Sequence, residues 1–214
     1  MFAKVYDVLM SDVDYDALFE WIKPHLKKAD NIIDAGCGTG YFLKTLIEHD
    51  YDAIGVDIDD EMLAIALNRL KDNNLKAPLY HHDLRNPMHL KVDVIISLFD
   101  VMNYFKGVKT VISQIKKSLN QHGLFIFDVY KYDVLNHYDG YHEIESDPIT
   151  YDWKINRDQE RLIHKIKVEG YTHVQVQYIK PLSYYEKVLN EIGFKSYIVL
   201  DGPDERKHYI IASL

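Results

Sequence analysis

Gly36, Gly38 and Gly40 stand at alternate positions in IIDAGCGTGYF, directly behind a short apolar run and with Asp34 two residues ahead of the first. Glycines at such a site permit a sharp turn and let a bound molecule press against the peptide planes. A dinucleotide fingerprint is spaced G-x-G-x-x-G, whereas here the third glycine comes one residue early and Tyr41 takes its place. The Asp34 carboxylate would repel a pyrophosphate and would welcome a cation, such as an amino group or a sulfonium. A tight turn with no ligand would use the same glycines, so the loop alone leaves two readings open.

Further groups capable of chemistry follow at intervals: Asp57 in GVDID, Asp83 in HHD, and the stretch SLFDVMNY. Taken singly, each acid is explained by solvation at a strand end, and Met62 by core packing. His81 and His82 invite a metal, but adjacent strand residues point to opposite faces, so the imidazoles would not converge. No metal is expected. Cys37, inside the glycine loop, reads as a small filler and not as a nucleophile.

An alternation of elements must position these groups. Leu18, Trp21, Ile22 and Leu26 recur at helical spacing over 15–28, with Pro24 bending or ending that helix. NIIDAG reads as a buried strand, YFLKTLIEHD as a helix and YDAIGVDI as a second strand. DDEMLAIALNRLKDNN is a helix acidic at its start and basic near its end, as the helix dipole favours. APLYHHD and VDVIISLF are the third and fourth strands, VKTVISQIKKSLNQHG a helix closed by Gly123, and LFIFDVY the fifth strand. Strand and helix alternating from 31 to 130 call for a doubly wound α/β fold on a mainly parallel sheet.

From Ile149 a two-residue period takes over. Ile149, Tyr151, Trp153 and Ile155 share one face, then Leu162, His164, Ile166 and Val168, then Val174, Val176 and Tyr178. Three such runs joined by polar turns predict an antiparallel meander. Ser183 is the expected N-cap of the helix YYEKVLNEIGF, and FKSYIVLD and KHYIIASL bring the main sheet to seven strands. The expectation is one α/β core, 1–130 and 181–214, with a small antiparallel β insertion at 131–180.

With its glycine loop between the first strand and the first core helix, the chain resembles the class I S-adenosylmethionine-dependent methyltransferases. Their first motif, an acid followed by x-G-x-G-x-G, is present as DAGCGTG, and the resemblance covers nearly the whole chain. It implies a Rossmann-like methyltransferase core and S-adenosyl-L-methionine as cofactor. It also implies that Asp57 holds both ribose hydroxyls, a task that two carboxylate oxygens can perform. Ile58 and Met62 would flank adenine, and Asp83 would accept from its amino group. Asp34, Gly36, Cys37, Gly38, Gly40, Leu84 and Leu98 complete the implied cofactor contacts.

The amino-terminal VYDVLM and DVDYDALFEWI further resemble the lid of a bacterial group of small-molecule methyltransferases, which includes sugar-amine and glycine-type N-methyltransferases. That resemblance implies that Tyr6 closes over the cofactor and that a meander at 141–180 roofs the acceptor pocket. Tyr6, Asn103 and Tyr104 are then candidate catalytic residues. Tyr104, Tyr130, His164 and Tyr178 are candidate acceptor-pocket residues. An anchor for the amino terminus is the other reading of Tyr6, and a hydrogen-bonded place within the sheet the other reading of His164. Relatives that bind a carboxylated acceptor often carry an arginine on the last insertion strand, where this chain has Val176 and Gln177. That departure weighs against a glycine-like acceptor.

Composition bounds the partners. The 214 residues suit one domain with an insertion, and 47% hydrophobic against 27% charged residues is ordinary for a soluble protein. A net charge of −8 argues against a nucleic-acid partner, which clustered Lys and Arg would recognise. No apolar run approaches the roughly 20 residues that span a bilayer, so no membrane partner is expected. One cysteine and no signal-peptide pattern suit a cytoplasmic home. Seventeen tyrosines against eight phenylalanines can line a wet pocket. The expected function is methyl transfer to a small-molecule acceptor, an amine before an oxygen, with a homodimer left open. Methylation of RNA or protein, and cofactor binding without catalysis, stand as alternatives.

Overall fold

Successive residues of a strand point to opposite faces, so a strand apolar at every position must be covered on both sides. Asn31–Ala35 (β1) is such a strand, with all but its first residue buried. In the computed structural model, which describes residues 2–214, β1 lies inside a seven-stranded sheet. Helices Phe2–Leu9 (α1) and Tyr15–Ile22 (α2) precede it. After it come Tyr41–Glu48 (α3), Asp52–Asp57 (β2), Asp60–Asp72 (α4), Leu79–His81 (β3), Val92–Ser97 (β4), Lys109–Ser118 (α5) and Leu119–Tyr130 (β5). A short helix, Val134–His137 (α6), leads into strands Tyr141–Glu145 (β6), Tyr151–Asp158 (β7), Arg161–Val168 (β8) and Tyr171–Tyr178 (β9). Leu182–Ile192 (α7), Ser196–Leu200 (β10) and Lys207–Ser213 (β11) close the chain.

The large sheet has the order β10-β11-β5-β4-β1-β2-β3. Strands β1 to β5 pair in parallel, and β11 enters antiparallel to β5. Ile33, Ile95, Phe125 and Phe127 meet α5 and α7 through Val111, Ile115, Tyr185 and Leu189. On the other face Ile32, Val94, Ile96 and Ile126 meet α2 and α3 through Phe19, Ile22, Leu43 and Leu46. The fold is the doubly wound α/β arrangement expected, with β6-β7-β8-β9 forming a separate antiparallel sheet. Among the described residues no helix is long and apolar enough to cross a membrane.

Four local expectations need correction. Helix α5 ends at Ser118, and Gly123 lies within β5 and does not cap a helix. The chain turns straight into the sheet there because Leu119 pairs with Val92 and Asn120 donates to Asp93 Oδ1 at 2.8 Å. Pro181, with φ −63°, holds the N-cap of α7, and Ser183 falls inside the first turn. The second sheet has four strands, the extra one being β6, whose Tyr-His-Glu-Ile-Glu carries no clean apolar period.

The phase of β9 is the correction with functional weight. Its pairs with β8 are Leu162↔Gln177, His164↔Gln175 and Ile166↔His173, and directly paired residues project to one face. The buried face of β9 is therefore His173, Gln175 and Gln177, while Val174 is 52% exposed. Polar side chains occupy the inward positions that the apolar alternation assigned to Val174, Val176 and Tyr178.

Gly40 joins the loop after β1 to α3 at φ +80°, and a Cβ there would stand 2.8 Å from Ala66 Cβ on α4. Gly40→Ala is expected to cost about 2–4 kcal/mol through left-handed strain and separation of the two helices. Urea denaturation, with an unchanged m value, measures it.

Candidate functional site

The loop after β1 is pinned to β2, where Gly36 N and Cys37 N both donate to Val56 O, at 2.8 and 3.0 Å. Gly36 has φ +81°, and a Cβ on it would stand 2.7 Å from Val101 Cγ2, so only a bare backbone passes. Asp57 organises the loop from the end of β2. Its Oδ2 accepts from Gly38 N at 2.8 Å and its Oδ1 from Asp59 N at 2.9 Å. Burial raises the Asp57 carboxyl, and these backbone N–H groups pull it back. Asp59 caps α4, accepting from Glu61 N and Met62 N at 2.8 and 3.2 Å.

Asp34 sits behind the loop, buried, and its Oδ2 has no hydrogen-bond partner. Burial, and then the negative charge of Asp57, push its carboxyl up to about 7, while the Leu43 N–H pulls the other way. An unpaired buried carboxyl oxygen is costly and marks a place where a donor or cation is missing.

A cavity of about 350 Å³ runs along the carboxyl ends of β3, β2, β1 and β4. Of the residues expected at the cofactor, Tyr6, Gly36, Gly38, Asp57, Ile58, Met62, Asp83 and Leu84 line it, as does Tyr104. A Cβ on Gly38 would lie 3.4 Å from the Tyr6 ring, which packs over the loop. Asp83 is not bare: Arg85 binds it through Nε and Nη2, at 2.9 and 2.6 Å, and lowers its carboxyl below the ordinary range. Cys37 and Gly40 shape the loop without lining the cavity. Leu98 does not reach it either, being buried among the side chains under α2 and α3. His81 turns to Asp60 Oδ1 at 2.7 Å and His82 to Asn86 O at 3.2 Å, so the two rings diverge.

The wall after β4 is set by two consecutive left-handed residues, Phe99 at φ 61° and Asp100 at φ 56°. Such backbone is strained for residues with a side chain, and here Asp128 of β5 holds it. Asp128 Oδ2 accepts from Phe99 N at 2.9 Å and Oδ1 from Asp100 N at 2.5 Å. Lys207 of β11 lies 2.8 Å from Asp100 Oδ1 and 3.2 Å from Asp128 Oδ2, all three side chains buried. Burial alone would lower the Lys207 ammonium, but Asp100 and Asp128 hold it well above the ordinary lysine value.

A chain of hydrogen bonds continues from this cluster into the second sheet. Gln177 Nε2 donates to Asp100 Oδ2, and His164 Nε2 lies 2.9 Å from Gln177 Oε1. Trp153 Nε1 donates to His164 Nδ1 at 3.3 Å, which leaves the imidazole proton on Nε2. Burial lowers His164 to about 4, so the ring is neutral. His164 is thus part of a structural network and not a wall of the cavity. Three other expected residues also fall away from it. Asn103 is buried and fully engaged: Nδ2 donates to Tyr178 O and Tyr185 Oη, and Oδ1 accepts from Tyr130 N. The Tyr130 ring faces Lys207 at 5.2 Å and Tyr138 at 6.1 Å. Tyr178 offers its carbonyl to Asn103 and projects from the outer face of β9.

The structure adds residues that the sequence reading missed. Phe2, Asp59, His82, Arg85, Phe99, Val101, Phe105 and Gln175 also line the cavity. Gln175 receives Tyr104 Oη at 3.5 Å, bridging core and second sheet. Helix α1 is held from both sides. Arg69 binds Asp7, donates to Thr39 O at 2.9 Å and stacks 3.3 Å over Tyr41, while Val5 packs against Tyr151, Ile166 and Val168. Phe2 stacks on His173 with ring centroids 4.1 Å apart.

The residues present fit a sulfonium nucleoside bearing an amino group: a buried acid oxygen lacking a donor, a loop that admits no side chain, and a strand-end carboxylate beside it. Comparison with known proteins agrees. Residues 32–123 match the family model for a methyltransferase domain. The chain is 28% identical over 213 residues to the putative methyltransferase YqeM of Bacillus subtilis (strain 168), covering 91% of this chain and 85% of the relative. Its fold is similar to that of an S-adenosylmethionine-dependent methyltransferase from Clostridium acetobutylicum ATCC 824, with TM-score 0.82, 21% identity and coverage of 100% and 97% of the two chains. It is also similar to the sugar N-methyltransferase KedS8 from Streptoalloteichus sp ATCC 53650, with TM-score 0.80, 20% identity and coverage of 97% and 92%.

Asp34 gives a pH prediction. Its folded value of about 7 exceeds the 3.8 of a free side chain. The protonated folded state is therefore favoured, and the contribution of Asp34 to stability falls as pH rises from 3.8 to about 7. A ligand cation beside Asp34 reverses the shift and expels the proton. S-adenosylhomocysteine, which carries the amino group, is expected to bind more tightly as pH rises through about 7, with proton release seen calorimetrically in buffers of different ionisation enthalpy. Asp34→Asn is expected to flatten that dependence.

Proposed function

We propose that this chain is an S-adenosylmethionine-dependent methyltransferase that transfers the methyl group to a small-molecule amine, a reading supported by its match to a methyltransferase domain over residues 32–123 and by its class I fold. The observation that carries the reading is enclosure. The cavity is bounded by α1 on one side and by Tyr104 bridged to Gln175 of the second sheet on another, and its volume of about 350 Å³ is of small-molecule size. The similarity to a sugar N-methyltransferase favours nitrogen over oxygen.

Asp34 would hold the amino group of the cofactor, the Gly36–Gly38 backbone its amino-acid portion and Asp57 its ribose. Met62 and Ile58 would pack on adenine beside Asp83. S-adenosylmethionine supplies an electrophilic methyl group on a sulfur that is already a good leaving group. What the chain must supply is alignment and exclusion of water, and orientation alone can contribute roughly 7–11 kcal/mol. Tyr6 and Tyr104 are suited to that task and not to proton abstraction. Burial raises both phenols, Tyr6 well above its ordinary value, and nearby Asp100 raises them further. They stay protonated and can orient an amine, whose neutral form needs no general base.

Asp57→Ala is expected to weaken S-adenosylhomocysteine binding by about tenfold or more while the far-ultraviolet spectrum stays unchanged. Unchanged affinity by calorimetry would remove the ribose assignment. Incubating the protein and S-adenosylmethionine with pooled small amines should release S-adenosylhomocysteine. Release with RNA or protein pools alone would overturn the small-molecule reading.

A further inference from the structure

Resting on the reading above, we infer that the acceptor end of the cavity selects an amine bound as its cation and rejects one with an anionic group beside the nitrogen. The sheet order separates the two ends. Asp83, Asp57 and the glycine loop follow β3, β2 and β1, whereas Phe99, Val101, Tyr104 and Phe105 follow β4. With the first set assigned to the cofactor, the β4 end is left for the acceptor, beneath Gln175 and beside Tyr6.

Among the described residues lining the cavity, the one Lys or Arg is Arg85, which lies at the β3 end with its guanidinium bound to Asp83. Lys207 is buried against Asp100 and Asp128 behind Phe99. The four oxygens of those two carboxylates meet only donors: Lys207 Nζ, Gln177 Nε2, Phe99 N and Asp100 N. Burial raises both carboxyls and Lys207 pulls both back; with a donor on every oxygen the pair accepts as carboxylates, which together outweigh the single ammonium. The excess charge sits in a water-poor interior, where Coulomb attraction reaches further than in solvent.

The surface in front of that charge is neutral. Tyr6, Phe99, Tyr104 and Phe105 present aromatic rings, whose faces attract a cation. Tyr104 Oη and the Gln175 amide are the polar groups on the roof side, and neither carries charge. A carboxylate brought here would lose its water and find no Lys or Arg to pair with among the described residues that line this end. An ammonium would gain from both the rings and the buried excess charge. Its proton leaves to solvent before transfer. The freed nitrogen lone pair then forms the new bond to the methyl carbon while the carbon–sulfur pair departs with sulfur.

The test uses the whole 214-residue chain saturated with S-adenosylhomocysteine and two similarly sized, unreactive probes, choline and betaine, the second carrying a carboxylate where the first has a hydroxymethyl group. Calorimetry is expected to show choline binding about tenfold or more tighter than betaine. Gln175→Arg places a cation at the roof, and it is expected to reverse the order when measured at S-adenosylhomocysteine concentrations that saturate the variant. Equal affinity for the probes, tighter binding of betaine, or binding of neither would overturn the inference. Failure to bind S-adenosylhomocysteine at all would instead overturn the cofactor assignment beneath it.

Discussion

Everything at the β4 end of the cavity depends on one lysine shared by two buried carboxylates. Burying a charge is affordable only when its partners are fixed, and Lys207, Asp100 and Asp128 fix one another from three separate segments: β11, the loop after β4, and β5. Asp128 also receives the two backbone N–H groups of the left-handed pair Phe99–Asp100. Strain in the loop is thereby held by charge in the sheet. From that loop Val101 presses against Gly36, and Gln177 carries the network into the second sheet. The cavity wall after β4 and the facing strand β9 are therefore set by one electrostatic cluster.

At the opposite side the organising group is Asp57. It uses one oxygen to hold the loop through Gly38 N and the other to hold the approach to α4 through Asp59 N. The charge of Asp57 reaches Asp34 behind the loop, and burial raises both acids. Such a pair is uncomfortable when no cation is near and comfortable when one arrives, which links occupancy of the site to its stability. Helix α1 adds closure by bonding to α4 through Asp7 and Arg69 and packing on the second sheet through Val5.

Much of this was legible in the residues. The strand-helix alternation, the glycine spacing and the acids at successive strand ends led to the sheet and to Asp57, Met62 and Asp83 at the cavity. What could not be read has physical causes. Asp128 and Lys207 are 79 residues apart, and nothing local marks them as partners. Asn103 and His164 looked chemical by type, but tertiary hydrogen bonds use up their polar atoms. Gln175 is hidden because an apolar alternation ordinarily points inward, and here the valines point out. That rule fails where the inner face is itself a polar network.

The strand Tyr171–Tyr178 carries valine and glutamine by turns, and either phase makes a respectable β-strand. The bonds from Gln177 to His164 and Asp100 hold the present one in place. Slide the strand by a single residue and the chamber would be papered with valine instead of amide, without one substitution along its length. In a scaffold of this kind, a change of diet can come from an insertion or deletion in the hairpin bend as readily as from a new side chain.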